Sequence, residues 1–118
     1  MEPDDLEAAA SFLEDYAIRP PRPEAHHPAA DSERWREIRQ RLNQLARSLR
    51  AAGGQGKGVF LESDAQFLDT QSSRLYRMHH WVLRDPTQTP AGRQVAEIAL
   101  GAAQRLQLIA GIVRARIS

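Results

Sequence analysis

The four histidines are the residues whose type and spacing come nearest to metal chemistry. They occur as two adjacent pairs, His26 with His27 and His79 with His80. Imidazoles are common zinc ligands, but neighbours on a helix point about 100° apart and do not chelate one ion as a pair spaced by four does. The chain has no cysteine, and no acidic residue stands at ligand spacing beside either pair. We therefore predict no metal site and no cofactor.

A glycine-rich segment, residues 53–58, has some of the letters of a phosphate-binding loop, because Lys57 follows several glycines. Ala51 stands where the motif's first glycine belongs, and Gly58 replaces the hydroxyl residue that would hold magnesium. The segment also follows a helical pattern instead of a strand. We interpret it as a flexible connector between helices. No pattern orients a base toward a nucleophile either, so we expect the protein not to be an enzyme.

A basic stripe follows one flank of the region 34–50. Between Arg34 and Lys57 there are seven basic residues and one acid, Glu37. Such a stripe can meet phosphates, anionic lipid or an acidic protein surface, or it can be a solvated helix face. The first fifteen residues hold six acids and no base, so the N-terminal arm is another candidate for covering it. The stripe consists of Arg36, Arg39, Arg47 and Arg50.

The segment 94–114 resembles a helix-turn-helix in part, with residues 95–101 in the place of the first helix and the turn. Glu97 stands where that motif has a small residue, and Gln107 where it has a buried aliphatic one. An apolar pattern that continues from Val95 to Val113 favours one straight helix through Gly101. Gly101 then allows another helix to approach closely.

Along three stretches of the chain, apolar residues recur every three or four positions, and this spacing predicts helices. We call each set of apolar residues a seam, and the predicted helices must position the candidate groups described above. Strand-like alternation is absent. The first seam is Trp35, Ile38, Leu42, Leu45, Leu49 and Ala52. The second is Leu68, Leu75, Met78 and Val82, interrupted by Gln71 and widened by Phe67, Trp81 and Leu83. The third is Val95, Ala99, Ala102, Leu106, Ile109 and Val113.

The seams predict an all-α fold, a small bundle of three main helices with a short acidic N-terminal helix or arm. An antiparallel hairpin spans 61–117, and a further helix spans 32–52. We divide the chain into an acidic arm (1–17), a proline-rich spacer (18–31) and a helical domain (32–118). The acidic start is unlike a secretory signal, and polar residues within 94–113 argue against a transmembrane span. We expect a cytoplasmic protein.

These features predict a non-enzymatic protein-protein interaction protein, which is an adaptor, a chaperone or a subunit of a complex. Its partner would be a helix of another protein or a second copy of itself. One alternative is a nucleic-acid-binding regulator that uses the basic stripe or the segment 94–114. Another is a small helical accessory of a bacterial secretion apparatus, whose layout of disordered N-terminal segment, proline spacer and C-terminal helical hairpin is similar. The predicted interface residues are Tyr76, Met78, Trp81, Val82, Ile98, Leu106, Ile109 and Ile112.

Overall fold

The computed structural model describes residues 3–19, 29–53, 60–85, 87 and 89–117. Within these ranges the regular structure is entirely helical and no strand occurs. The helices are α1 (Pro3–Ile18), α2 (Ala29–Gly53), α3 (Glu62–Arg84) and α4 (Pro90–Ala115). The all-α prediction is confirmed. The chain divides into two compact units, one built on α1 and α2 and the other on α3 and α4.

The predicted count of three main helices and a short arm needs correction, because the described residues contain four helices. α1 has 16 residues and packs along α2. Isolated helices of this length are marginal in water, so the contact with α2 is what makes a full helix favourable. α2 also begins earlier than the expected start at residue 32. The last proline of the spacer is Pro28, and no residue after it bars the helical backbone.

The α1–α2 hairpin packs through the apolar seams of both helices. Tyr16 meets Trp35 edge to face, with ring centroids 5.8 Å apart and planes at 70°, a favourable arrangement for two aromatic rings. Phe12 stacks on Tyr16 at 6.2 Å. The pairing of the end of α1 with the beginning of α2 makes the hairpin antiparallel. Its buried apolar side chains are Leu6, Ala9, Ala10, Leu13, Tyr16, Ala17, Trp35, Leu42, Leu45, Ala46 and Leu49.

The ends of α3 and α4 are set by local hydrogen bonds. The backbone N–H of Leu61 donates to Asp64 Oδ2 at 3.0 Å, which satisfies a donor at the start of α3. Thr89 caps α4 by accepting from the N–H of Gly92 at 3.1 Å. Pro90 follows in the first turn, where its missing N–H costs nothing.

The α3–α4 hairpin is antiparallel and uses small residues at its contact. Ser72 is buried and donates to the carbonyl of Ala103 at 2.8 Å. Alanines line the same side of α4 and allow the two backbones to come close. The buried side chains of this hairpin are Phe60, Ala65, Leu68, Gln71, Ser72, Leu75, Val82, Ala96, Ala99, Ala102, Ala103, Leu106, Ile109, Ala110 and Val113.

α4 continues without interruption through Gly101, so the segment 94–114 contains no turn. Among the described helices, α4 is long and apolar enough to cross a membrane by length and composition alone, with a mean hydropathy of 1.2 over its most apolar 18 residues. A core helix of a soluble protein passes the same test, and 39% of that stretch is buried. The property therefore carries no argument for a membrane location.

His26, His27 and the expected connector at 54–58 lie outside the described residues.

Candidate helix-docking surfaces

Arg50 is the point at which the basic stripe meets the acidic N-terminal helix. Its Nη1 and Nη2 donate to the two carboxylate oxygens of Glu14 at 2.6 and 2.7 Å. Its Nε donates to both oxygens of Glu7 at 3.0 Å. Nη2 also reaches Ser11 Oγ at 3.3 Å. One guanidinium thus bridges three positions on one face of α1, and the arm docks on the stripe through this residue.

The same contacts explain the electrostatics of the cluster. The hydrogen bonds from Arg50 hold the pKa of Glu14 below its ordinary value of 4.5, against a smaller opposing effect of desolvation. The hydrogen bonds from Glu14 and Glu7 raise the pKa of Arg50 further above its already high value. Both groups are therefore charged at neutral pH, and the cluster is a charge-assisted contact on the surface of the hairpin.

The rest of the basic stripe is open to solvent. Arg36, Arg39 and Arg47 are all exposed on α2. Arg50 is only half-buried, yet its donors are taken up by α1. Three of the four arginines of the stripe are therefore accessible to phosphates or anionic lipid. The helix-turn-helix interpretation of the segment 94–114 is wrong, because α4 is one continuous helix there.

The eight predicted interface residues fall into three groups. Val82, Leu106 and Ile109 are buried, because they lie on the sides of α3 and α4 that carry the other buried residues. For these three, the structure replaces the predicted partner contact with a core contact. Tyr76, Met78 and Ile112 are half-buried, and Tyr76 donates to Gln107 Oε1 at 2.9 Å within the hairpin. Two remain as exposed apolar side chains, namely Trp81 and Ile98.

The outer side of α4 carries Ile98, Gly101, Leu108 and Ile112, which we call the α4 face, and the exposed Arg105 lies in the same sector of the helix. Leu108 is 68% exposed and Ile98 56% exposed. Helical geometry puts them within about 80° of each other around the axis, with Gly101 between them. A Cβ added to Gly101 would have no atom within 4 Å. Nothing in the described part of the chain therefore uses the close approach that this glycine allows.

The outer side of α3 is basic and aromatic, and of its residues only Trp81 was predicted from the sequence to lie at an interface. Trp81 is 75% exposed, and Arg74, Arg77 and Arg84 are exposed on the same side. The signal was present in the sequence as cations three, four and seven residues from a tryptophan. The second seam predicts only the apolar side of this helix. We call these four residues the α3 face.

Other charged groups of this hairpin connect α3 to α4 at its surface. Arg114 on α4 donates to Asp69 Oδ2 at 2.7 Å and to Glu62 Oε1 at 3.2 Å on α3. These contacts raise the pKa of Arg114. His79 Nε2 lies 3.9 Å from Glu97 Oε1. No group of three or more possible metal ligands occurs among the residues that the structure describes.

The fold and these surfaces define the chain as an all-α protein built of two helical hairpins with exposed apolar and charged helix faces. Comparisons with protein families, with curated proteins and with solved structures found no match.

Proposed function

We propose that the chain is a non-enzymatic protein-protein interaction protein, an adaptor, chaperone or subunit that pairs the α4 face with a helix of another molecule. The observation that carries the proposal is the exposure of Leu108 and Ile98 on one side of a helix whose opposite side is buried. Single exposed apolar residues are ordinary, but apolar side chains that share one exposed helix face with a glycine between them offer a surface for another helix.

Gly101 supports the same proposal. Glycine lowers helix stability by about 1 kcal/mol relative to alanine, and this one meets no neighbour in the described chain. A glycine in the middle of an exposed stripe lets a second helix backbone come close, so that the flanking Ile98 and Leu108 can bury their side chains on both sides of it.

The experiment compares Leu108→Glu with Gln104→Glu, a control that adds the same charge to an exposed polar position on the same helix. Sedimentation velocity over a wide concentration range comes first. A defined oligomer that Leu108→Glu dissociates and Gln104→Glu preserves would make the partner a second copy.

If the wild type is a monomer, the tagged chain is incubated with extract of its source cells, and retained proteins are identified. We expect proteins that Gln104→Glu retains and Leu108→Glu loses. The proposal fails if neither the oligomer nor any retained protein depends on Leu108.

The two alternative functions have less to support them. A nucleic-acid-binding regulator would depend on Arg36, Arg39 and Arg47, since Arg50 is engaged by α1. The secretion-accessory proposal rests on the layout of the segments, to which the structure adds two helical hairpins of common type.

A further inference from the structure

The α3 face has an unusual charge pattern. From residue 70 to residue 84 the helix contains three arginines, two histidines and no acid, while Asp69, which pairs with Arg114, precedes this stretch and the exposed Asp85 follows it. Arg77, Trp81 and Arg84 have no hydrogen bond or ion pair to any other described residue. Arg74 reaches only Gln71, at 3.3 Å. The cations are therefore available to a partner, and the partner they favour is negatively charged.

The width and length of the α3 face fit a helix of a partner protein. Arg74, Arg77, Trp81 and Arg84 lie within about 80° around the axis, and they span about 15 Å along it at 1.5 Å per residue. That is the length of a helix of about ten residues laid along α3. Arginine binds carboxylates through two parallel hydrogen bonds, and an exposed indole ring offers a large apolar contact between them.

The chain itself shows how such a contact is made. α1 contains five acids and no base, and it presents Glu7, Ser11 and Glu14, spaced by four and three residues, to Arg50 of α2. On its other side it buries Leu6, Leu13 and Tyr16. An acidic amphipathic helix is thus a type of partner that an arginine-bearing helix of this protein already binds.

Lipid and nucleic acid fit the α3 face less well. A helix that lies in a membrane surface buries a broad apolar side, whereas this face has one large apolar residue among cations. Nucleic-acid-binding surfaces draw on strong positive charge, and the net charge of this chain is only +1.

We propose that the α3 face binds an acidic amphipathic helix of a partner protein, with Trp81 against its apolar side and Arg77 and Arg84 against its carboxylates. The inference rests on the proposed function and adds the chemistry of a partner. It concerns a different helix from the α4 face, so the two can fail separately.

Trp81 is the reporter for the test. The chain has two tryptophans, so Trp35→Phe leaves Trp81 as the only one. The probe is a synthetic helical peptide with glutamates spaced by four and three residues and leucines beside them. The control peptide has lysine in place of every glutamate. Vesicles of phosphatidylcholine with phosphatidylserine and a short DNA duplex are titrated in parallel.

We expect the acidic peptide to shift Trp81 emission to shorter wavelength, and the lysine peptide to leave it unchanged. The double change Arg77→Glu with Arg84→Glu should weaken peptide binding about tenfold or more, as loss of charge pairs at a helix contact does. Arg36→Glu with Arg39→Glu makes the same change in net charge on α2 and should leave the affinity within about twofold. Circular dichroism checks that every variant keeps its helix content.

No response to the acidic peptide would overturn the proposal, as would equal weakening by both double variants. A response to vesicles or DNA without one to the peptide would also overturn it and assign the face to that ligand. In each case an intact Leu108-dependent association would show that the proposed function stands without this partner. If the response to the acidic peptide and the Leu108-dependent association are both absent, both proposals are rejected.

Discussion

At the scale of single residues, Arg50 does more than its position in the stripe suggests. Its planar guanidinium supplies donors in two directions, so one side chain holds two carboxylates of α1 at once. A lysine at this position has one compact ammonium and cannot make the two paired contacts together. Arg47, one turn earlier, is exposed and serves as a natural comparison.

We predict that Arg50→Ala lowers the urea midpoint of the α1–α2 hairpin at neutral pH, whereas Arg47→Ala has little effect. Trp35 is the probe, in a Trp81→Phe background, because it packs against Tyr16 of α1.

The pKa of Glu14 is lower in the folded chain than its ordinary value of 4.5. The pair therefore stabilises the fold fully above that value, and this contribution disappears as the pH falls through the folded pKa.

The difference between Arg50→Ala and wild type should accordingly shrink when the titration is repeated at acid pH below the ordinary value. A difference that is the same at neutral and acid pH would show that the charge pair is not what Arg50 contributes.

At the scale of the helices, the sequence was informative wherever a seam was regular. The three seams predicted the course of α2, α3 and α4, and the third predicted that α4 runs straight through Gly101. The start of α2 was missed because a proline-rich run was read as continuing past its last proline. That Arg50 is the arginine used by α1 was not readable either, since it depends on how two helices are rotated against each other.

Gly101 provides the test at this scale. We predict that Gly101→Ala raises the free energy of unfolding by about 1 kcal/mol, since alanine is the better helix former and the new Cβ meets no atom within 4 Å. Urea denaturation followed by circular dichroism measures this. Gly111→Ala, at another exposed position with the same free space, should stabilise similarly.

Gly101→Ala should nevertheless weaken the Leu108-dependent association, because the added methyl group lies where the partner helix approaches. A stabilised variant with unchanged association would show that Gly101 has no part in docking, and a destabilised variant would show that the added methyl group meets a neighbour.

At the scale of the whole molecule, the outer faces were harder to predict than the inner ones. A seam shows which residues share a side of a helix, but Leu106, Ile109 and Leu108 are all apolar, and only the structure separates the buried pair from the exposed residue. A chain of 118 residues buries only about two thirds of its unfolded surface. Each helix is therefore needed to cover another, and α1 is the clearest case.

Removal of residues 1–19 tests this dependence. The deletion uncovers the side of α2 on which Trp35 packs with Tyr16, and it leaves Arg50 without its carboxylates. We predict that the shortened chain associates into larger species in sedimentation velocity at concentrations where the full chain does not. The uncovered apolar side chains of α2 would be buried against other copies of the chain.

A synthetic peptide of residues 3–18 should reverse the association when added in excess, because binding to the intended surface stabilises the covered form by mass action. A peptide of the same composition in scrambled order is the control, since it keeps the five acids but loses the seam of Leu6, Leu13 and Tyr16. If the scrambled peptide works equally well, charge alone recruits α1. If the shortened chain is a monomer with the same helix content per residue, α1 is not required to cover α2, and the acidic helix would be a detachable segment instead of part of the fold.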